Sequence, residues 1–304
     1  MALTPIRPHG PVGGGRDLPV PGDGVRLAAT RWAGTGPPVV LLHGLASTRR
    51  FWNLVVPGLA GLPVVAWDQR GHGDSDAPPT GYDTASVVSD VATALDSLGI
   101  SRAVVVGHSW GATIALAFAA SHPERTLAAV AVDGGVSTPS TRWSRDEAQV
   151  ALAPPQFAVA PEQLIELIAQ GPLAPWWSPD VEEAILPIFG VAADGAARAR
   201  LDLAHHLEIV DALWDYDPVA TMAAITVPTW IVVAQPLTVP DDPAGRAWRE
   251  DKQTGIELAT STLARPRVVI LGGAVHDVPL QWPAAIAGLI RSAVDEIREA
   301  GAGG

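Results

Sequence analysis

Short, continuous apolar runs punctuate the chain at Val39–Leu42, Val64–Trp67, Ala103–Val106, Leu127–Val132, Trp230–Ala234 and Val268–Leu271. Each has strand length without polar alternation, the pattern of strands buried on both faces of a parallel sheet. Val25–Trp32 differs, alternating loosely after the turn signal Gly22-Asp23-Gly24. Between these runs, Thr84–Leu98, Trp110–Ser121 and Pro283–Ala300 carry helical periodicity and stop at Pro, Gly or polar residues. Strands and helices in alternation predict an α/β fold, a mostly parallel central sheet flanked by helices.

The alternation breaks after about Val136. From there to Pro218 no convincing strand is visible, and Pro154, Pro155, Pro161, Pro172, Pro175, Pro179 and Pro187 divide the segment into short helices. The expected organisation is a flexible tail over residues 1–15, a core built from 16–135 and 219–304, and a helical lid inserted at 136–218. Trp143, Trp176, Trp177 and Trp214 fall in the lid; such indoles line either a core alone or, in a mixed role, pack on one side and form an apolar substrate wall on the other, and they are kept as candidate pocket residues.

Composition narrows the partners. Lys and Arg total 20 against 32 Asp and Glu, a formal charge of −12. Without a basic stripe the chain lacks the footprint of a nucleic-acid binder, and anionic membranes would repel it. A neutral or apolar small molecule is the expected partner. There is no cysteine, which excludes thiol nucleophiles and cysteine metal sites. The most apolar stretch, Ala103–Ala120, is interrupted by Gly107-His108-Ser109 and Gly111, and no secretory signal opens the sequence, so a cytoplasmic protein without cofactor or metal is expected.

The candidate chemistry centres on Gly107-His108-Ser109-Trp110-Gly111, a G-x-S-x-G sequence between a buried run and an Ala-rich helix. Two glycines permit a sharp strand-to-helix turn that lifts the serine hydroxyl off the sheet, and the helix N-terminus then aims N–H groups at developing negative charge. Here the sequence resembles the α/β-hydrolase family, from about Asp17 to Glu299 and least closely in the lid. Val39–Leu42 followed by His43-Gly44-Leu45 looks like the turn that supplies half of the family's oxyanion hole. The resemblance implies backbone donors at Leu45 and Trp110. His43 and His108 are expected beside the pocket, His43 in a structural role and His108 pointing away from the nucleophile, since adjacent positions on a tight turn point apart. Asp68-Gln69-Arg70-Gly71-His72-Gly73-Asp74-Ser75 matches another family loop, read as scaffold. Of eight histidines, only His276 follows the last predicted strand and precedes the final helix, where the family keeps its base.

The acid departs from the commonest family pattern. Trp230–Ala234 is followed by Gln235-Pro236-Leu237-Thr238-Val239-Pro240-Asp241-Asp242, with no carboxylate at the usual place. Asp133 ends the strand after the nucleophile helix, a position some members use, and parallel strands end on one side of the sheet; Asp241 or Asp242 reaching in on a loop is the alternative. The pentapeptide is also similar to the G-H-D-W-G turn of epoxide hydrolases and dehalogenases, with Ser109 where those enzymes have aspartate. Expected, then, is a serine hydrolase acting on a carboxylic ester or lactone, with Ser109 as nucleophile, His276 as base and Asp133 as orienting acid. Amide or C–C cleavage, acyl transfer, or non-catalytic small-molecule binding on the same fold remain open.

Overall fold

The computed structural model describes residues 3–7 and 10–302. His9, Met1, Ala2 and Pro8 of the expected tail, and Gly303 and Gly304, lie outside the described residues.

Eleven strands are described: β1 (Thr4–Pro5), β2 (Arg16–Pro21), β3 (Arg26–Trp32), β4 (Val39–Leu42), β5 (Val64–Trp67), β6 (Ala103–His108), β7 (Thr126–Val132), β8 (Phe189–Val191), β9 (Ala197–Ala199), β10 (Thr229–Gln235) and β11 (Pro266–Gly272). Eight of them form one sheet, in the order β11-β10-β7-β6-β4-β5-β3-β2. The pairings from β11 through β5 are parallel, and β3 and β2 join antiparallel at one edge. Pro19 and Pro21 explain why β2 lies at that edge, since proline has no N–H for a second neighbour.

Adjacent residues of the central strands feed opposite layers, as the period of two requires. Val39 and Leu41 pack with Ile286, Ile290 and Val294 of α10 (Pro283–Ala302), whereas Val40 and Leu42 pack with Val87, Val91 and Leu95 of α1 (Thr84–Ser97). Hence these runs are apolar throughout. The helices between α1 and α10 are α2 (Trp110–Ser121), α3 (Arg145–Ala151), α4 (Pro161–Ala169), α5 (Pro179–Ile185), α6 (Leu203–Asp215), α7 (Pro218–Ala224), α8 (Pro243–Thr262) and α9 (Val278–Gln281).

Two expectations are corrected. The N-terminal segment is tied down where it is described: β1 pairs antiparallel with β8, Arg7 makes an ion pair with Glu182, and Val12 O accepts the Trp32 indole N–H at 2.7 Å. The segment 136–218 also contains strands, because β8 and β9 form an antiparallel hairpin that β1 extends to three strands. Three-residue strands beside many prolines leave too short an alternation to read from sequence.

Candidate active site

Ser109 stands between β6 and α2 with φ 54° and ψ −119°, backbone that non-glycine residues avoid at a cost of about 1–3 kcal/mol. The surrounding structure enforces it. Ser109 N–H donates to Val132 O of β7 at 2.9 Å, while Gly107 and Gly111 pack so closely that a Cβ on Gly107 would lie 1.9 Å from Gly111 O and one on Gly111 2.4 Å from Leu42 O. Any side chain at either glycine would push α2 off the sheet and move the hydroxyl.

Ser109 Oγ lies 3.0 Å from His276 Nε2, and His276 Nδ1 lies 2.7 Å from Asp133 Oδ2. The three residues arrive from the carboxyl ends of β6, β7 and β11, the edge where a parallel sheet gathers side chains from separate strands. Asp133 is buried, and its Oδ1 accepts the Ala234 N–H at 2.9 Å and an ion pair from Lys252 of α8. Burial pushes the Asp133 pKa up, but the hydrogen bond from His276 and the Lys252 charge outweigh it and hold the carboxyl at about 2. For His276, desolvation disfavours the charged ring, yet the Asp133 hydrogen bond and charge prevail and raise its pKa. A neutral imidazole that donates through Nδ1 to a carboxylate presents a bare Nε2 to the hydroxyl, which can then give up its proton as Oγ attacks a carbonyl.

The alternative carboxylates are engaged elsewhere. Asp242 caps α8, accepting the Gly245 N–H at 2.7 Å, and Asp241 lies 3.3 Å from Arg246 and 3.2 Å from Arg249.

Leu45 and Trp110 flank Ser109. Trp110 opens α2, so its N–H has no carbonyl one turn back to bond. The turn carrying Leu45 is braced by two neutral histidines. His72 Nε2 accepts the Ala46 N–H at 3.2 Å and its Nδ1 is 2.9 Å from Arg70 O; His43 Nε2 accepts the Gln69 N–H at 2.9 Å and its Nδ1 is 2.7 Å from Gly44 O. Burial drives both pKa values down, His43 to about 4 and His72 to about 3, so neither titrates near neutrality. His43 therefore holds the loops from within the core and does not face substrate space, correcting its expected place beside the pocket. His108 does line the cavity beside Ser109: its Nε2 is 2.8 Å from His276 O, its ring stacks on Phe51 with centroids 4.7 Å apart, and burial lowers its pKa to about 4.

That cavity holds about 280 Å³; its apolar walls include Phe51, Ile168, Leu173, Ile185, Ile188 and Leu280, and Ser47 and Asp277 add polar groups beside Ser109 and His276. The segment 136–218 thus supplies an aliphatic cover to this cavity, which none of its four tryptophans lines. Trp143 lines a second groove, which Asp133 and His276 also border, and lies under the Arg142 guanidinium at 4.3 Å. Trp214 donates its indole N–H to Trp143 O at 2.9 Å, Trp176 packs partly buried against the core, and Trp177 lines a surface cavity near Arg7. An indole packed against the lid's own backbone satisfies its N–H there, as Trp214 does. Sequence reasoning missed two contributors: Phe51, which nothing distinguishes from other core aromatics, and Lys252, which one signal could have found, since it is the only lysine in the chain.

Among the described residues no group of three or more His, Cys, Asp or Glu side chains is disposed to hold a metal ion. His205 stacks on Tyr82 with centroids 4.3 Å apart, and His206 Nε2 lies 2.8 Å from Leu152 O. No helix among those residues is long and apolar enough to cross a membrane.

Comparison with known proteins agrees with this architecture. A family model described as the alpha/beta hydrolase fold matches residues 37–166. Epoxide hydrolase 3 of Siraitia grosvenorii is 44% identical over 101 residues, 32% of this chain and 32% of that protein, and the other epoxide hydrolases matched are covered over between 20% and 32% of their length. Among solved structures, E-2-(acetamidomethylene)succinate hydrolase superposes with TM-score 0.71 at 23% identity, covering 92% of this chain and 99% of that one. The enol-lactonase from Burkholderia xenovorans gives TM-score 0.64 at 21% identity, covering 91% and 100%. The chain is an α/β-hydrolase-fold protein.

Proposed function

We propose that the protein is a serine hydrolase that cleaves a carboxylic ester or lactone through an acyl-enzyme. The observation that carries this reading is the relay of Ser109 Oγ, His276 and Asp133 at 3.0 and 2.7 Å. In this reading His276 takes the Ser109 proton as Oγ attacks the carbonyl carbon and then protonates the leaving alkoxide. The same ring next takes a proton from water, whose attack releases the acid and restores Ser109. The N–H groups of Leu45 and Trp110 hold the oxyanion, a contribution of about 100- to 1000-fold per donor in sites of this kind. The aliphatic cavity favours a small apolar acyl group.

Likeness to epoxide hydrolases over a third of the chain suggests a different substrate, but the chemistry at position 109 opposes it. Serine opening an epoxide would leave an alkyl ether, which has no carbonyl for water to attack, whereas an aspartate would leave a hydrolysable ester.

The test is fluorophosphonate labelling of the wild type and the Ser109→Ala variant, followed by turnover of acyl esters, lactones, amides and an epoxide. Stoichiometric labelling lost in the variant, with ester or lactone turnover, is the expected result. A folded wild type that neither labels nor turns over any of them would overturn the proposal in favour of small-molecule binding, and turnover confined to the epoxide would refute the assigned chemistry.

A further inference from the structure

We infer that Lys252 is a positioning residue of the relay: its ammonium fixes the Asp133 carboxylate so that one oxygen is reserved for His276. The inference rests on the proposed hydrolase reading for its catalytic meaning, although the geometry stands without it.

All nineteen other basic Lys/Arg positions in the chain are arginine. The sole lysine is placed on the carboxylate that touches His276. Chemistry distinguishes the two cations here. An ammonium is a point charge that can satisfy one carboxylate oxygen, whereas a guanidinium offers a planar fork that seeks both. Asp133 has no second oxygen to spare, because Oδ1 already accepts the Ala234 N–H along with Lys252, and Oδ2 is taken by His276 Nδ1. A fork at this position would compete with the imidazole for Oδ2.

Lys252 is itself held in place. It projects from α8, with Nζ 5.3 Å from the Trp248 ring centre, and its side chain is only 23% exposed, at the rim of a groove of about 1030 Å³. Of the charged groups around it, Asp251 on the same helix is occupied by Thr141, at 2.8 Å, and by Arg142, at 3.7 Å. Around His276 the charged or titratable groups are Asp133 from the end of β7, Lys252 from α8, Asp277 from its own turn and His108 from β6, the last with ring centres 4.8 Å apart. Asp133 and Asp277 favour the imidazolium and Lys252 opposes it, so the ammonium keeps His276 from becoming too strong a base while steadying its partner.

The experiment compares Lys252→Met, Lys252→Gln and Lys252→Arg by two readouts. The first is the pH dependence of fluorophosphonate labelling. The second is the NMR titration of the His276 ring in a Ser109→Ala background, which needs no turnover. Loss of the charge in Lys252→Met or Lys252→Gln should move both the acid limb and the ring's titration upward by about 0.5–1 pH unit. Lys252→Arg, which keeps the charge, should label more slowly than Lys252→Met. Acetylating the lone lysine of the folded Ser109→Ala protein should reproduce the upward titration shift and serves if a variant does not fold. An unmoved His276 titration, or an arginine variant that labels like wild type, would overturn the inference. Wild-type protein that never labels would instead strike the hydrolase reading, and the titration would still decide the role of Lys252.

Discussion

Replacing Asp133 with asparagine should disable the site through the tautomer of His276, and the contacts around the carboxylate say why. Oδ1 faces two donors, the Ala234 N–H and Lys252, while Oδ2 faces His276 Nδ1. An amide in that position keeps its oxygen on the two donors, so its NH₂ must turn toward the ring. His276 then accepts through Nδ1 and carries its proton on Nε2, pointed at Ser109, where a base is required. The expected loss in kcat is about 10⁴-fold, or about 5.4 kcal/mol of transition-state stabilisation. Backbone strain at Ser109 and the turn that carries Leu45 do not depend on Asp133, so donors and cavity survive and some turnover should remain. The assay is ester turnover and labelling rate at matched folded concentration, with a thermal melt beside each variant. Asp241→Asn and Asp242→Asn serve as controls and should stay within a few-fold of wild type, since asparagine also caps a helix well. An Asp133→Asn loss under tenfold in a folded protein, or a larger loss in either control, would refute the argument.

Two further outcomes follow from the site. Three buried histidines, His43, His72 and His108, have pKa values depressed to about 4, 3 and 4 from 6.5. The unfolded chain therefore binds protons that the native state refuses, and stability should fall as pH drops from about 6.5 toward 4, by up to about 4 kcal/mol per pH unit when all three contribute. His276, raised in the folded state, acts in the opposite sense: its contribution is complete below 6.5 and is lost as pH rises through its folded value. Urea melts between pH 7.5 and 5 would test this, and stability indifferent to pH in that range would contradict it. Leu173→Ala or Ile188→Ala should enlarge the cavity of about 280 Å³ and shift preference toward longer acyl chains in a p-nitrophenyl ester series; an unchanged chain-length profile would remove this cavity from acyl recognition.

The turn at Ser109 and the sheet were legible because their signals are local. Val39–Leu42 and Val64–Trp67 are wholly apolar because both faces of each strand are covered, and this requirement is written into four consecutive residues. The turn at Ser109 is equally local, since only glycine tolerates the contacts at 107 and 111. Asp133 was legible in part, by the rule that parallel strands end together; that it faces His276, and that Asp242 caps a helix instead, depends on the packing of α8, which the sequence did not announce. Tertiary structure alone decided the rest. Whether an indole lines a cavity or bonds its own lid depends on which carbonyl lies near its N–H, as Trp214 and Trp143 show. The pairing of Lys252 with Asp133 joins residues 119 positions apart, and no periodicity or spacing encodes a contact of that range. Local sequence dictates elements because backbone sterics and burial act over a few residues. The electrostatics of the site belong to the assembled fold, where charges from β7, α8 and the turn after β11 converge on one imidazole.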